Sequence, residues 1–266
     1  MKNLPIGKGA LSVAHAGHEL RLHGFLEQAK PYMFILTDGS SNVAPPRMGY
    51  SQLYISNLFP EQKDSFMTFS LNNRNKEEKY ITESQLIQEV LAGRTEFCEM
   101  YAGEMAHVMI EKKVDYVVCD ASEDADVIHE VGAILTELAI RVVEKMSRKK
   151  IMRYEYAVTK PYNHDLNEDC IHIKLDEPMA QRKIEELSKY HISVLPEIKQ
   201  DISVDEAVIY QLKQIPTGGL KEVQNILGSL NPDYFRNEYI RPYIYKDMAE
   251  DNPLLPFRTK LFSLLK

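Results

Sequence analysis

The sequence predicts an α/β fold, a mostly parallel sheet with helices on both faces. Short runs rich in branched and aromatic residues alternate with segments whose apolar residues recur at helical spacing. Strands alternating with helices call for crossover connections, which make neighbouring strands parallel and cover both faces. A third observation concerns chemistry: segments 15–19, 38–42 and 120–129 each directly follow a predicted strand. In open sheets of this kind sites form beyond the carboxyl ends of the strands, so the expected architecture is Rossmann-like.

In chain order, Leu11-Ser12-Val13-Ala14 is a short apolar run ending at a His/Gly cluster, and residues 18–30 read as a helix closed by Pro31. Tyr32-Met33-Phe34-Ile35-Leu36-Thr37 is a strand ended by Asp38-Gly39. Residues 49–83 are mixed and polar, with Leu71-Asn72-Asn73-Arg74-Asn75-Lys76 the most polar part. They read as an insertion or long loop over the sheet that frames a substrate mouth. Residues 84–113 form a long helical pattern with Gly93 and Gly103 as interruptions, and Val114-Asp115-Tyr116-Val117-Val118-Cys119 is the next strand. Val127, Val131, Ile134, Leu135, Leu138, Val142 and Val143 then recur at helical spacing, and a strand follows over 152–158. Beyond Lys160, Ile171-His172-Ile173-Lys174-Leu175 alternates like a half-buried strand and 177–190 reads as a helix. Pro216-Thr217-Gly218-Gly219 is a turn before a further helical stretch. The expected organisation is one domain over residues 1–266, with 1–159 forming the core sheet and site and 160–266 a C-terminal extension packed on it.

The formal net charge of −7 gives no electrostatic footprint for nucleic acid, and 44% hydrophobic with 27% charged residues is ordinary for a globular chain. No stretch approaches the roughly 20 apolar residues of a spanning helix, so no membrane span is expected. Cys98, Cys119 and Cys170 are odd in number and widely spaced, which suggests neither a disulfide framework nor a cysteine zinc site. A cytoplasmic location is the expectation, and the oligomeric state, homo-oligomer included, is left open.

His15-Ala16-Gly17-His18-Glu19 places two imidazoles three residues apart at a strand-to-helix turn, where both can reach one ion. Catalytic zinc sites use three protein ligands and keep one position open. His129, just inside the helix after the 114–119 strand, is the natural third ligand. The acidic run Ser122-Glu123-Asp124-Ala125-Asp126 before it suits a helix N-terminus. Around this set, Arg21 could meet a substrate anion one turn beyond His18, while Asp38 and Ser40 could meet a ligand hydroxyl or anion. A solvated Arg21 and a plain turn at 38–42 are the alternative readings. His164 is a further donor candidate, and His23 reads as a packing or surface residue.

The ordered set resembles the PIG-L (LmbE-like) family of zinc-dependent sugar N-deacetylases. The family's opening AHPDDE is matched by Ala14-His15-Ala16-Gly17-His18-Glu19, followed by Gly24 and then by Leu36-Thr37-Asp38-Gly39. Its later HxDHxxVGxAA is matched by Asp126-Val127-Ile128-His129-Glu130-Val131-Gly132-Ala133, and its closing segments by Arg182-Lys183-Ile184 and Phe235-Arg236-Asn237-Glu238. The resemblance implies zinc, or another divalent metal, on His15, His18 and His129, with His18 standing where the family has an Asp ligand. It further implies hydrolysis of an N-acetylated amino sugar or sugar conjugate, with a small-molecule sugar as substrate or ligand.

Three positions depart from the pattern. Gly17 stands where the family places its general-base Asp, Asp126 where it has a His, and Ile128 where it has an Asp. Either another carboxylate has taken over the base role, with Asp126 leading and Asp38 and Glu19 behind it, or amide hydrolysis is lost. In the second case the chain is a non-hydrolytic metal- or glycan-binding protein.

Overall fold

The computed structural model describes residues 3–40, 45–60, 66–68, 80–123, 126–161, 163, 166–190, 211–212, 214, 220–245, 247–263 and 265. Strand β1 (Gly9–His15) runs into a short 3-10 helix (His18–Leu22), then α1 (His23–Ala29) and β2 (Tyr32–Thr37). Next come α2 (Met48–Leu58), β3 (Phe66–Thr68), α3 (Glu83–Leu91), α4 (Glu96–Glu111), β4 (Tyr116–Asp120), α5 (Val127–Ser147) and β5 (Met152–Tyr156). The rest supplies β6 (Ile171–Lys174), α6 (Glu177–Tyr190), α7 (Leu220–Leu230), α8 (Pro232–Arg236), β7 (Asn237–Pro242) and α9 (Leu255–Ser263).

Among the described residues the sheet has seven strands in the order β3-β2-β1-β4-β5-β7-β6. The first five in that order pair in parallel, and β7 is antiparallel to both β5 and β6. The mostly parallel α/β architecture expected from the alternating pattern is therefore present. Each central strand is apolar on both sides because each side meets helices. Leu11, Val13, Met33, Ile35, Tyr116 and Val118 share one core with Phe25 of α1, Tyr54 of α2 and Ile184 of α6. Ala10, Ala14, Phe34, Leu36 and Val117 share the other with Leu86 of α3, Tyr101 of α4, Val131 of α5 and Phe257 of α9.

Several expectations need correction. The helix expected over 18–30 begins as a 3-10 turn and becomes α-helical only at His23. The expected interruption at Gly93 separates α3 from α4, whereas Gly103 lies uninterrupted inside α4. Segment 49–83 is not simply a loop: it contains α2 and β3, the latter paired with β2. Met48, Ser51, Tyr54 and Ile55 are the buried face of α2, but exposed Tyr50 and Leu53 blur that periodicity in the sequence. The Asn/Lys-rich 71–76 stretch and the 216–219 turn lie outside the described residues. Strand β7 and the short helices α8 and α9 were not expected.

The order places a topological switch at the centre. The chain leaves β1 towards β2 and β3 on one side and leaves β4 towards β5 on the other, opening a crevice between β1 and β4. Helix α5 closes in over β1 through small residues. A Cβ added at Gly132 would lie 3.2 Å from the Ala14 Cβ. One turn on, the Thr136 hydroxyl meets the Ser12 hydroxyl at 2.9 Å. A β-branched side chain at 132 would have to push α5 off β1. Gly132→Val is expected to lower stability by about 1–3 kcal/mol, the range for overpacking a tight core, measured by thermal or denaturant unfolding; Gly132→Ala should lower it less.

Candidate metal centre

His15 is the last residue of β1, and Ala16 N donates to Thr37 O at 3.2 Å, carrying the pairing with β2 one residue further. Gly17 follows at φ +106, a conformation that glycine adopts without a Cβ clash. The chain turns there directly into the 3-10 helix, of which His18 is the first residue. His129 comes from the first turn of α5, whose N-cap Asp126 accepts from Ile128 N at 3.0 Å.

These elements bring the three predicted histidines together. The ring centroids of His15 and His18 are 3.9 Å apart, those of His15 and His129 5.0 Å, and those of His18 and His129 4.7 Å. One ligand-capable nitrogen from each ring lies within 4.8 Å of the other two, and all three residues are buried. Three imidazoles converging on one point form a donor set of the kind that holds zinc at catalytic sites. Burial, chiefly, pushes the proton affinity of both His15 and His18 well below the usual 6.5. The other two histidines and the Arg47 and Arg21 guanidiniums push the same way on His18, and His129 with both arginines on His15. Neutral imidazole is the form that ligates a metal.

Asp120, the last residue of β4, fixes the orientation of His129. Its buried Oδ2 accepts from Ala14 N at 3.0 Å and lies 2.8 Å from His129 Nδ1, while Oδ1 accepts from the Tyr156 hydroxyl at 2.5 Å. A carboxylate facing Nδ1 holds the proton there and leaves Nε2 with its lone pair, the arrangement that outer-sphere carboxylates give metal-binding histidines. On the other flank Arg47 Nη2 donates to His15 Nδ1 at 3.2 Å and to Gly39 O at 2.9 Å. Glu83, the first residue of α3, lies 3.8 Å from Arg47 Nη2 and 4.0 Å from His15 Nε2. Burial raises the Glu83 carboxyl above its usual range, against the opposing pull of Arg47.

The other predicted residues are placed differently. Asp38 and Ser40 bond to each other in the turn after β2, where Ser40 N and Oγ donate to Asp38 Oδ1 at 2.8 and 2.6 Å. Arg21 is buried and donates to Ala157 O at 3.4 Å, so it is not a solvated helix residue. Glu19 is buried, and its carboxylate accepts from Gly17 N and from the Tyr190 hydroxyl, both at 2.8 Å. Asp126 is exposed at the start of α5. His23 is buried with Nδ1 2.7 Å from the Tyr54 hydroxyl, and His164 lies outside the described residues.

Arg47, Glu83 and Asp120 were missed as site residues. Two of them left a trace. Asp120 is a carboxylate ending an apolar strand, and Thr82-Glu83-Ser84-Gln85 has the spacing of a capping box, which the structure forms at 3.1 and 3.2 Å. Arg47 has no local signal, because its partners come from β1, the turn after β2 and α3.

No family model matches the chain, and no curated protein sequence matches it. Among solved structures, the zinc-inhibited form of teicoplanin deacetylase Orf2 is similar with a TM-score of 0.47 and 8% identity, over 91% of this chain and 100% of that one. The A40926 pseudoaglycone deacetylase Dbv21 gives a TM-score of 0.49 and 12% identity over 91% and 99%. The conserved protein TT1542 from Thermus thermophilus gives 0.41 and 14% over 91% and 99%.

Two measurements follow from the geometry. Elemental analysis of the purified chain should find about one equivalent of divalent metal, and His15→Ala and His129→Ala should each lose it; a metal-free parent would remove the site. The second concerns pH. Because His15 and His18 are depressed below 6.5, they stay neutral as pH falls through that value. Metal retention, followed by equilibrium dialysis, should therefore stay flat between about pH 7.5 and pH 6, where ordinary histidines would begin to release it. In the metal-free protein the same depression acts against the fold. Unfolded histidines take up protons below 6.5 that the folded ones do not, so stability should fall as pH drops from about 6.5 toward the depressed folded values.

Proposed function

We propose that this chain is a metal-dependent hydrolase that removes the acetyl group from an N-acetylated amino sugar or sugar conjugate. The observation that carries the reading is the meeting of His15, His18 and His129 at the sheet's switch point, with Asp120 behind His129. The ordered sequence motifs supply the reaction class. A divalent ion held there, zinc by the chemistry of the donor set, supplies Lewis acidity at the acyl carbonyl and makes a nearby water acidic enough to attack near neutral pH.

The protein's own part is to hold the His15 and His18 imidazoles neutral, to orient His129 through Asp120, and to accept a proton from the attacking water. Gly17 offers no side chain for that transfer, and the carboxylates of Glu19 and Asp120 are occupied by structural hydrogen bonds. Asp126, three residues before His129, and Glu83, beside His15 and Arg47, are the two carboxylates assigned to it. Glu83 is placed for that role by its 4.0 Å approach to His15 Nε2. Ser40, held by Asp38, and Arg21 are the proposed substrate contacts. A second reading, a metal-dependent glycan-binding protein without hydrolysis, is favoured by one observation: the tight Gly17 turn stands where the family motif has its base.

Acetate release from a panel of N-acetylglucosamine conjugates by zinc-replete protein separates the two. Turnover is expected, and whichever of Glu83→Gln and Asp126→Asn removes the proton acceptor should lower kcat by about 10²–10⁴-fold with metal content unchanged. No turnover on any member of the panel would leave the glycan-binding reading.

A further inference from the structure

Gly24, Lys183 and Glu238 lie in segments that the sequence analysis singled out and that the site itself does not use. They meet in one buried knot. Lys183 on α6 and Glu238 on β7 are 1% and 0% exposed at their side chains, with Nζ 3.0 Å from Oε1. Lys183 Nζ also donates to Arg21 O at 3.0 Å and to Tyr234 O at 3.4 Å. Glu238 in turn accepts from Gly24 N at 2.9 Å and from Phe25 N at 3.0 Å.

Arg21 O, Gly24 N and Phe25 N flank the change from the 3-10 helix to α1. A helix start leaves N–H groups without intrahelical partners, and Leu22, the N-cap of α1, supplies no side-chain bond. Glu238 takes that place from more than 200 residues away. Arg21 O belongs to the same 3-10 helix that begins with His18. Helix α6 reaches this segment a second time, through the Tyr190 hydroxyl on Glu19 Oε1 at 2.8 Å, and Glu19 Oε2 takes Gly17 N. The five residues carrying His18 are thus held at both ends by α6, with β7 completing the exit.

We propose that Lys183, Glu238 and Tyr190 are positioning residues that set the His18 imidazole for metal binding, so that α6 and β7 belong to the metal site although neither supplies a ligand. This rests on the metal reading of the three histidines. It goes beyond that reading because it assigns metal affinity, and not stability alone, to the C-terminal segment. A buried ion pair by itself is weak evidence for a stability role, since apolar replacements often serve as well. Here one of its hydrogen bonds goes to Arg21 O, in the turn that begins with His18, and two go to the first turn of α1, which directly follows it.

The test uses the full chain and cobalt(II) as probe, with affinity from chelator competition, the visible absorption bands as a report of ligand geometry, and Tm measured alongside. The double variant Lys183→Met/Glu238→Gln removes both charges, so neither is left buried alone. Tyr190→Phe removes one hydroxyl and keeps the fold decidable if the double variant is too unstable to purify. Each is expected to weaken cobalt binding, by no more than the roughly 10–100-fold that follows loss of a partner bonded to a ligand itself, and to change the absorption bands in the direction that His18→Ala does. A lower Tm with parental affinity and bands would overturn the positioning role and leave the metal reading intact. A parent that takes up no cobalt would overturn both.

Discussion

The buried carboxylate of Asp120 is the point on which the arrangement turns. It joins the amide of Ala14 in β1, the hydroxyl of Tyr156 in β5 and the imidazole of His129 in α5. A charge withdrawn from water is tolerated only when its hydrogen bonds are supplied, and here two neighbouring strands and a helix supply them. The carboxylate therefore registers β1, β4, β5 and α5 against one another at the strand ends. It also decides which nitrogen of His129 keeps its lone pair. One group carries a fold constraint and a chemical one.

The second condition is closeness. His15 and His129 come from different elements, and their rings lie 5.0 Å apart because α5 approaches β1 over Gly132, Ala14, Ser12 and Thr136. Larger side chains in that seam would separate the rings without altering either histidine. The third histidine is set from the opposite face of the sheet, where α6 and β7 hold the 3-10 segment. The three rings thus belong to three packing problems solved at one place. Burial, which solves all three, also keeps His15 and His18 neutral.

Much of this was readable beforehand, for reasons that can be named. β2 and α6 begin and end where the residue pattern places them, because one is a dense apolar run and the other a regular amphipathic repeat. His15, His18 and His129 were legible because two lie on a three-residue spacing and the third follows a strand. β7 was not, since Asn237-Glu238-Tyr239-Ile240-Arg241-Pro242 carries charges whose partners, Lys183 and Glu155, lie far off in the chain. Arg47 escaped for the same reason. A long-range partner leaves no local periodicity, so a buried arginine reads in sequence as a surface one.

Gly17 has a consequence for where a carboxylate can be placed in such a site. The motif that the chain resembles carries an aspartate there. At φ +106 the present backbone strains any side chain, whatever space surrounds it. Placing a carboxylate at 17 would require the turn, and with it the entry of the 3-10 helix, to be rebuilt first. A carboxylate for this site is therefore more readily supplied from another element than from residue 17, since the turn that positions His18 is the one that strains a side chain there.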